Sequence, residues 1–377
     1  MKHWKLSLAA LVLVLPSLAF PQTPSEALAL EQQGKWAEAA DAWQTVTRRN
    51  PRDAAAFASL GSVLSRQQKY QEAAVAYRKA LALNPALPGI PLNLGLAEFK
   101  QGRFEEAIPP LKRVLVHDSA NRQARTLLGL SYYGIKHYAE AIEQLEQVSK
   151  ADPANAELHD VLAKSCLAAK QYPCAMEQFR SILQQNPDSV NAHVLMGQAL
   201  DGLDRTPEAI AEFQAGVQLA PDAPDLHFGL GYLYWKSNQY DEAEAQFKKE
   251  ISIDPKNARA SGFLGDIELK RNNPDSALSL LTKAASLSGD IRLVYIDLGT
   301  IYTQKKMYTD AIRALRRAVE LDPKQSDAHY RLANIYKAMG NAVEAQKEFA
   351  KVRQLEETSE NGPKKKAPTG PDSSIRP

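Results

Sequence analysis

The sequence has few of the features that mark catalysis or nucleic-acid binding. Its 377 residues include only two cysteines, and 46 lysines and arginines nearly balance 44 aspartates and glutamates. Because nucleic-acid binding rests mainly on neutralising phosphates, we expect no nucleic-acid partner. No phosphate-binding loop, GxSxG elbow or His-Glu-x-x-His helix occurs, so we expect a protein that is not an enzyme and that has no cofactor.

Long apolar runs are also scarce, and the most prominent one lies near the amino terminus. Residues 6–15 are mostly apolar, follow a short basic head at residues 1–5, and precede the small-residue site at Ala19. This pattern predicts a signal peptide over residues 1–19 and an exported chain, periplasmic or secreted if bacterial. The alternative, an uncleaved membrane anchor, is disfavoured because spanning a bilayer takes about 20 apolar residues. We therefore expect no membrane span after cleavage.

What the sequence does contain is a 34-residue unit that recurs without insertion or deletion, with residues 54–87 as one complete copy. Such a fixed period decides the architecture before any local feature does. Steps of 34 residues from Ala73 always meet alanine, and steps from Gly61 always meet glycine or alanine. Steps from Tyr77 always meet a large apolar residue, namely Trp43, Leu111, Leu145, Phe179, Phe213, Phe247, Leu281, Leu315 or Phe349.

Each copy of the unit predicts a hairpin of two helices. In residues 54–87, two sets of residues recur at the spacing of one helix face: Phe57, Leu60, Gly61 and Leu64, then Tyr70, Ala73, Tyr77 and Ala80. Pro85 ends the second helix, because proline disfavours helical backbone in the residue before it. Gly61 and Ala73 are small, we infer, because the two helices cross closely there.

This pattern of Leu60-Gly61, Ala73, Tyr77 and Pro85 at period 34 resembles the tetratricopeptide repeat family. The resemblance implies an all-α, right-handed superhelical solenoid of about ten hairpins over residues 20–357. Residues 358–377, with four prolines and the run Lys364-Lys365-Lys366, are expected to form a disordered tail. The lysine run would be either a solvated charge run or a contact with an acidic surface, and the first is favoured.

Both cysteines fall within one repeat, Cys166 on its predicted first helix and Cys174 near the start of its second. An even number of cysteines in an exported chain favours a structural disulfide between them. The alternative is that Cys166 is simply a small buried apolar residue. Seven residues separate the two, which is not the spacing of redox motifs, so catalytic redox chemistry is not expected.

Three histidines, His159, His193 and His227, occupy equivalent positions in successive repeats and are the sharpest candidates for a metal site. Successive helices in such a stack lie about 10 Å apart, whereas zinc-bound nitrogens lie about 2 Å from the metal. A shared ion would require strained convergence. We therefore expect no metal, and we expect each ring to hydrogen-bond locally within its own hairpin.

A stack of hairpins curves, so its first helices line a concave surface that usually binds the ligand. Clustered aromatic and apolar side chains at the outward positions mark a candidate interface. The alternative is that the next repeat covers them. Two apolar patches and one polar patch result: Leu92, Leu96, Phe99, Leu130 and Tyr133; Phe228, Tyr232 and Trp235; and Tyr330, Arg331 and Asn334.

The expected function is that of a protein interaction scaffold, which holds a peptide or partner protein in the concave groove within an exported assembly of the envelope or extracellular space. Two alternatives stay open. Groove aromatics can stack on sugars, which would suit a glycan or cell-wall binding module. The chain could also be the accessory subunit of an enzyme complex whose chemistry lies in another chain.

Overall fold

The computed structural model describes residues 23–360. The predicted signal peptide, residues 1–19, and residues 361–377 of the predicted tail lie outside the described residues. Between these limits the chain is all-α, with twenty helices joined by short turns and no strand. No helix in this range is both long and apolar enough to cross a membrane.

The chain divides into two compact units, residues 1–169 (unit 1) and residues 170–377 (unit 2). Unit 1 holds nine helices: α1 (Pro24–Gln32), α2 (Trp36–Arg49), α3 (Ala54–Arg66), α4 (Tyr70–Leu83), α5 (Ile90–Lys100), α6 (Phe104–His117), α7 (Arg122–Gly134), α8 (Tyr138–Ser149) and α9 (Ala156–Ala168). In α1 to α8, consecutive helices pair as the predicted hairpins.

Unit 2 holds eleven helices: α10 (Tyr172–Gln185), α11 (Val190–Gly202), α12 (Thr206–Leu219), α13 (Leu226–Lys236), α14 (Tyr240–Ile253), α15 (Ala258–Lys270), α16 (Pro274–Leu287), α17 (Arg292–Gln304), α18 (Tyr308–Leu321), α19 (Ser326–Ala338) and α20 (Ala342–Glu360). From α11 onward they pair as five hairpins. Helix α20 continues to Glu360, past the expected end of the repeats at residue 357.

The turn inside each repeat has left-handed backbone at one fixed position. In residues 54–87 this is Gln68, where the N–H of the next residue, Lys69, donates to the carbonyl of Leu64 at 2.9 Å and ends the first helix. The same position has positive φ in every repeat, at Gly34, Gln68, Gly102, Lys136, Lys170, Asp204, Asn238, Asn272, Lys306 and Gly340. The 34-residue period is therefore a period of backbone conformation as well as of composition.

The close helix crossing predicted at the small residues is confirmed. A Cβ atom added at Gly61 would lie 2.6 Å from the ring of Tyr77, and one added at Gly197 would lie 2.7 Å from the ring of Phe213. Distances this short do not occur between a real Cβ atom and its neighbours, so only a residue without a side chain fits there. The large residue at the Tyr77 position fills the space that the small residue leaves, and both are buried in the core.

Helices α5 and α13 begin two residues later than the first helix of the reference unit, α3. In both repeats a proline, Pro88 or Pro224, stands where α3 has its first residue, and the next residue, Gly89 or Asp225, has left-handed backbone. These are the two repeats whose outward positions are most apolar.

Candidate functional site

The first apolar patch remains partly exposed on the first helices of unit 1. Leu92, Leu96 and Phe99 lie on α5, and Leu130 and Tyr133 lie on α7, and all five side chains are half-buried. The ring of Phe99 packs on Phe104 and that of Tyr133 on Tyr138, with centroids 5.4 and 6.1 Å apart. We call these five residues the apolar face of unit 1. Neighbours from their own hairpins orient the rings without covering them.

Two cations stand at equivalent positions in this unit, Arg66 at the end of α3 and Lys100 at the end of α5. Both side chains are exposed. The guanidinium of Arg66 lies 4.7 Å from the centre of the Trp36 ring, which holds it by a cation–π contact. Within the described part of the chain neither cation forms an ion pair, and the buried Glu98 pairs instead with Arg78 and Arg103.

The second apolar patch, in unit 2, is a correction to the sequence prediction. Phe228 and Tyr232 are 0 % exposed, and Trp235 is half-buried. The cause is Phe263 on α15, whose ring centroid lies 5.8 Å from that of Phe228, 5.9 Å from Tyr232 and 5.0 Å from Trp235. The expected exposure was wrong for Phe228 and Tyr232, because the following repeat supplies a ring that fills the space beside α13.

The indole of Trp235 is held by polar contacts as well. Its Nε1 donates to Oδ2 of Asp266 at 2.5 Å, and the ammonium of Lys270 lies 5.3 Å from the ring centre. Lys270 also donates to Oδ1 of Asp266 at 2.5 Å. Asp266 is itself buried. Trp235 therefore joins α13 to α15.

A second buried carboxyl group, Asp297 on α17, lies within the electrostatic reach of this cluster. It is 6 % exposed, and its Oδ2 has no hydrogen-bond partner in the described residues. Burial raises the pKa of Asp297 well above its ordinary value of 3.8, and the negative charge of Asp266 raises it further, while Lys270 and Arg331 lower it. Burial thus stabilises the neutral acid relative to the ionised carboxylate.

The polar patch lies on α19, where the structure brings its three residues together. Tyr330 is 55 % exposed, and its ring stands edge-on to Phe349 with centroids 6.1 Å apart. Asn334 is exposed and donates from Nδ2 to the backbone carbonyl of Tyr330 at 2.9 Å. Arg331 is half-buried, because it donates from Nη1 to Oγ1 of Thr300 at 2.7 Å.

The predicted local hydrogen bonding of the histidines is confirmed. The Nε2 atoms of His159, His193 and His227 lie 3.1, 3.0 and 2.9 Å from the backbone carbonyl oxygens of Pro153, Pro187 and Pro221, six residues earlier in each case. Each ring therefore binds the loop that precedes its own helix. Among residues 23–358, no group of three His, Cys, Asp or Glu side chains is placed to hold a metal ion.

Neither cysteine in the described chain is a free thiol. Cys166 on α9 is fully buried, Cys174 lies in the first turn of α10, and both are disulfide-bonded.

Sequence reasoning missed Phe263, Asp266 and Asp297, and the repeat period could have revealed the first two. Trp235 and Asp266 are 31 residues apart, as are Thr300 and Arg331. A separation of 31 residues equals one 34-residue repeat minus about one helical turn. Both pairs therefore connect the first helix of one repeat to the first helix of the next. Phe263 lies one position after Gly262, an outward position of its repeat, and 34 residues before Phe263 stands Gly229, which leaves no side chain there.

Family models described as tetratricopeptide repeat match most of the chain. One matches residues 25–88, 194–258 and 228–291; a second matches residues 64–115 and 98–165; a third matches residues 327–358. A fourth, described as TPR repeat, matches residues 299–340. No curated protein matches the chain.

Solved structures of similar chains include "MamA MSR-1 C2", with 27% identity over 44% of this chain and 95% of that one, at a TM-score of 0.40. The yeast Tom70 crystal structure shares 15% identity over 88% of this chain and 91% of its own, at a TM-score of 0.43. YrrB, described as "a TPR protein with an unusual peptide-binding site", shares 22% identity over 48% of this chain and 94% of its own, at a TM-score of 0.39.

Proposed function

We propose, since the chain belongs to the tetratricopeptide repeat family, that it is a non-catalytic scaffold which binds a segment of a partner protein on the apolar face of unit 1. The observation that carries this proposal is the difference between the two apolar patches. Phe228 and Tyr232 of α13 are covered by Phe263, whereas Leu96, Phe99 and Tyr133 stay half-exposed. A surface cluster of large apolar side chains is costly in water and marks a binding site.

The chemistry of this face favours a partner segment with apolar anchors. The leucine and aromatic side chains on α5 and α7 offer half-exposed apolar surface that the side chains of a peptide would cover, with dispersion and burial as the driving force. Arg66 and Lys100 have no ion-pair partner in the described chain, so an acidic residue beside the anchors would gain a charge contact. The proposed ligand is therefore an apolar segment that carries acidic side chains on one flank.

Site-specific photo-crosslinking tests this proposal. A benzoyl-phenylalanine placed at Leu96 should form crosslinks to a partner in extract from the native source, and mass spectrometry should locate them in one short segment. The matched control is Val116 on α6, an apolar residue of the same unit that is 81 % exposed but lies on a second helix. Identical crosslinked products from positions 96 and 116 would contradict the proposal.

A binding assay with the crosslinked segment as a synthetic peptide gives the second measurement. Leu96→Ser combined with Phe99→Ala should weaken binding about tenfold or more, since two apolar anchors worth roughly 1 kcal/mol or more each are lost. Val116→Ser should leave the affinity unchanged. Circular dichroism and urea unfolding of each variant separate a loss of the surface from a loss of the fold.

The burial of Phe228 and Tyr232 on α13 weakens the support for the glycan-binding alternative. Stacking on a sugar needs an open ring face, and neither Phe228 nor Tyr232 offers one. Tyr330 remains exposed, but its ring already meets Phe349 edge-on. A glycan array probed with the purified chain decides between the two functions: strong binding there, with no crosslink at position 96, would favour the alternative.

Export of the chain is also a proposal, and it rests on the sequence of residues 1–19. The disulfide-bonded state of Cys166 and Cys174 supports it, because disulfides persist in oxidising compartments. Amino-terminal sequencing of the natural protein, after fractionation of the cells that make it, provides the test. Recovery of a chain that still begins with residue 1 from the cytosolic fraction would contradict both cleavage and export.

A further inference from the structure

The surroundings of Asp297 are unusual for an aspartate in the middle of a helix. On one side α15 presents Asp266, whose two oxygens are already bonded to Trp235 and Lys270. On the other side α19 presents Arg331, which donates to Thr300. Helices α16 and α18 also pack on α17, and they meet it with alanine and leucine side chains, namely Ala277, Leu281 and Ala284, and Ala311, Leu315 and Ala318.

No described cation forms an ion pair with Asp297, although the charges of Lys270 and Arg331 favour its ionised form from a distance. Its Oδ2 lies in the core without a hydrogen-bond partner, while Lys270 is bonded to Asp266 and Arg331 to Thr300. A buried charge without a partner is strongly destabilising, whereas the neutral carboxyl group is tolerated. The packing of α17 between α15 and α19 consequently depends on a proton at one identified side chain.

We propose that Asp297 is a proton-operated switch in unit 2: the neutral acid keeps α15, α17 and α19 packed, and its ionisation loosens that contact and draws Arg331 away from Thr300. Arg331 lies on α19 beside the exposed Tyr330 and Asn334. The protonation state of a core residue thus changes which hydrogen-bond donors α19 presents at the surface.

The raised pKa of Asp297 determines whether the stability of unit 2 rises or falls with pH. Because the pKa of Asp297 is raised in the folded chain, its contribution to stability is complete below the ordinary value of 3.8. That contribution is lost as the pH rises through the raised folded pKa. Unit 2 should therefore be better protected in mildly acidic than in alkaline solution, which is the reverse of the behaviour of an ion-paired aspartate.

Hydrogen exchange of the full chain, measured by mass spectrometry and corrected for the intrinsic pH dependence of exchange, tests the switch. Each unit by which the folded pKa exceeds the unfolded one changes the opening equilibrium about tenfold. Between about pH 5 and pH 9 we expect the protection of α15 and α17 to fall by about tenfold or more. Helix α11 of the same unit should change little.

Three substitutions distinguish the switch from a general loss of stability at high pH. Asp297→Asn has nearly the same shape and no titratable proton, so its protection should not depend on pH. Asp222→Asn removes a 79 % exposed aspartate of the same unit and should retain the wild-type profile. Lys270→Gln removes a charge that lowers the pKa of Asp297, so it should move the midpoint to higher pH.

A flat wild-type profile would overturn the proposal, as would a profile of Asp297→Asn that matches the wild type. A midpoint that moves to lower pH in Lys270→Gln would also overturn it, because the charges around Asp297 would then not control its proton. If the asparagine variant fails to fold, the direction of the Lys270→Gln shift still decides the question.

Discussion

The ring of Phe263 on α15 stands edge-on to the ring of Tyr232 on α13, with centroids 5.9 Å apart and an interplanar angle of 85°. This contact joins two consecutive repeats, and it turns residues at nominally outward positions into core. Edge-on aromatic pairs of this kind add about 0.5–1.5 kcal/mol beyond the area they bury. Phe228 and Tyr232 of α13 thus stabilise unit 2, and their buried rings are not available to a ligand.

Phe263→Ala should destabilise unit 2 by about 3–5 kcal/mol, since it leaves a cavity among four aromatic rings and removes all their contacts with Phe263. Trp235 is the sole tryptophan of residues 170–377, so its fluorescence reports on that region in urea titrations. Tyr330→Ala, at an exposed aromatic residue of the same unit, should cost much less. Equal losses for the two variants would contradict the assignment of Phe263 to the core.

The repeat period predicted most of the fold. It predicted contacts inside one hairpin correctly, but it did not predict the contacts between repeats. Gly61 and Tyr77 form the contact expected of them, because both lie inside one hairpin and their spacing alone fixes their proximity. The predicted exposure of Phe228 and Tyr232 was wrong, because their burial depends on the ring of Phe263, which lies 31 or more residues later in the sequence. Contacts between repeats follow from the packing distance of successive helices, and the composition of a single unit does not reveal that distance.

The candidate site was predictable to the same limited extent. Leu96 and Phe99 stay half-buried, and the position on α7 that corresponds to Phe263 holds Leu127, which has no ring. Asp297 could not be found from spacing, since its properties come from burial and from the charges of Asp266, Lys270 and Arg331. Those groups converge only when the first helices are stacked.

Two glycines of one repeat should respond in opposite ways to the same substitution. In Gly197→Ala the new Cβ would lie 2.7 Å from the Phe213 ring and 3.3 Å from the carbonyl oxygen of Ala209. The helices must then separate, at a cost of about 1–3 kcal/mol. In Gly216→Ala the nearest atom is 3.6 Å away, in ordinary contact, and alanine favours the helix by about 0.5–1 kcal/mol. Urea unfolding of both variants measures the predicted loss of stability in Gly197→Ala and the predicted gain in Gly216→Ala. Two losses of equal size would argue against a close crossing of α11 and α12 at Gly197.

The left-handed turn position predicts a further pair of opposite effects. Lys306 has a φ of 59° and Gly340 a φ of 75° at the same place in consecutive repeats. Left-handed backbone costs a residue with a side chain about 1–2 kcal/mol, offset in part by the greater chain entropy of glycine. Lys306→Gly should thus gain about 0.5–1 kcal/mol and Gly340→Ala should lose as much. Thermal unfolding followed by circular dichroism measures both, and a loss in Lys306→Gly would mean that its side chain has a stabilising role.

The buried carboxylate of Glu250 should be one of the most sensitive positions in unit 2. It is 0 % exposed, and it accepts hydrogen bonds from the backbone N–H groups of Asp225 and Phe228, at 2.9 and 3.1 Å, and from Nδ2 of Asn257, at 3.1 Å. These bonds hold the left-handed start of α13 that follows Pro224.

Glu250→Ala would leave those donors buried without an acceptor, and each such group costs about 1–3 kcal/mol. We expect a loss of about 2–4 kcal/mol in urea unfolding, with hydrogen exchange increased at the start of α13. Glu242→Ala, at an exposed position of the same helix, serves as the control and should change stability by less than about 0.5 kcal/mol. If Glu250→Ala unfolds at the same urea concentration as Glu242→Ala, the short helix α13 does not depend on this cap, and its start must be set by Pro224 and Asp225 alone.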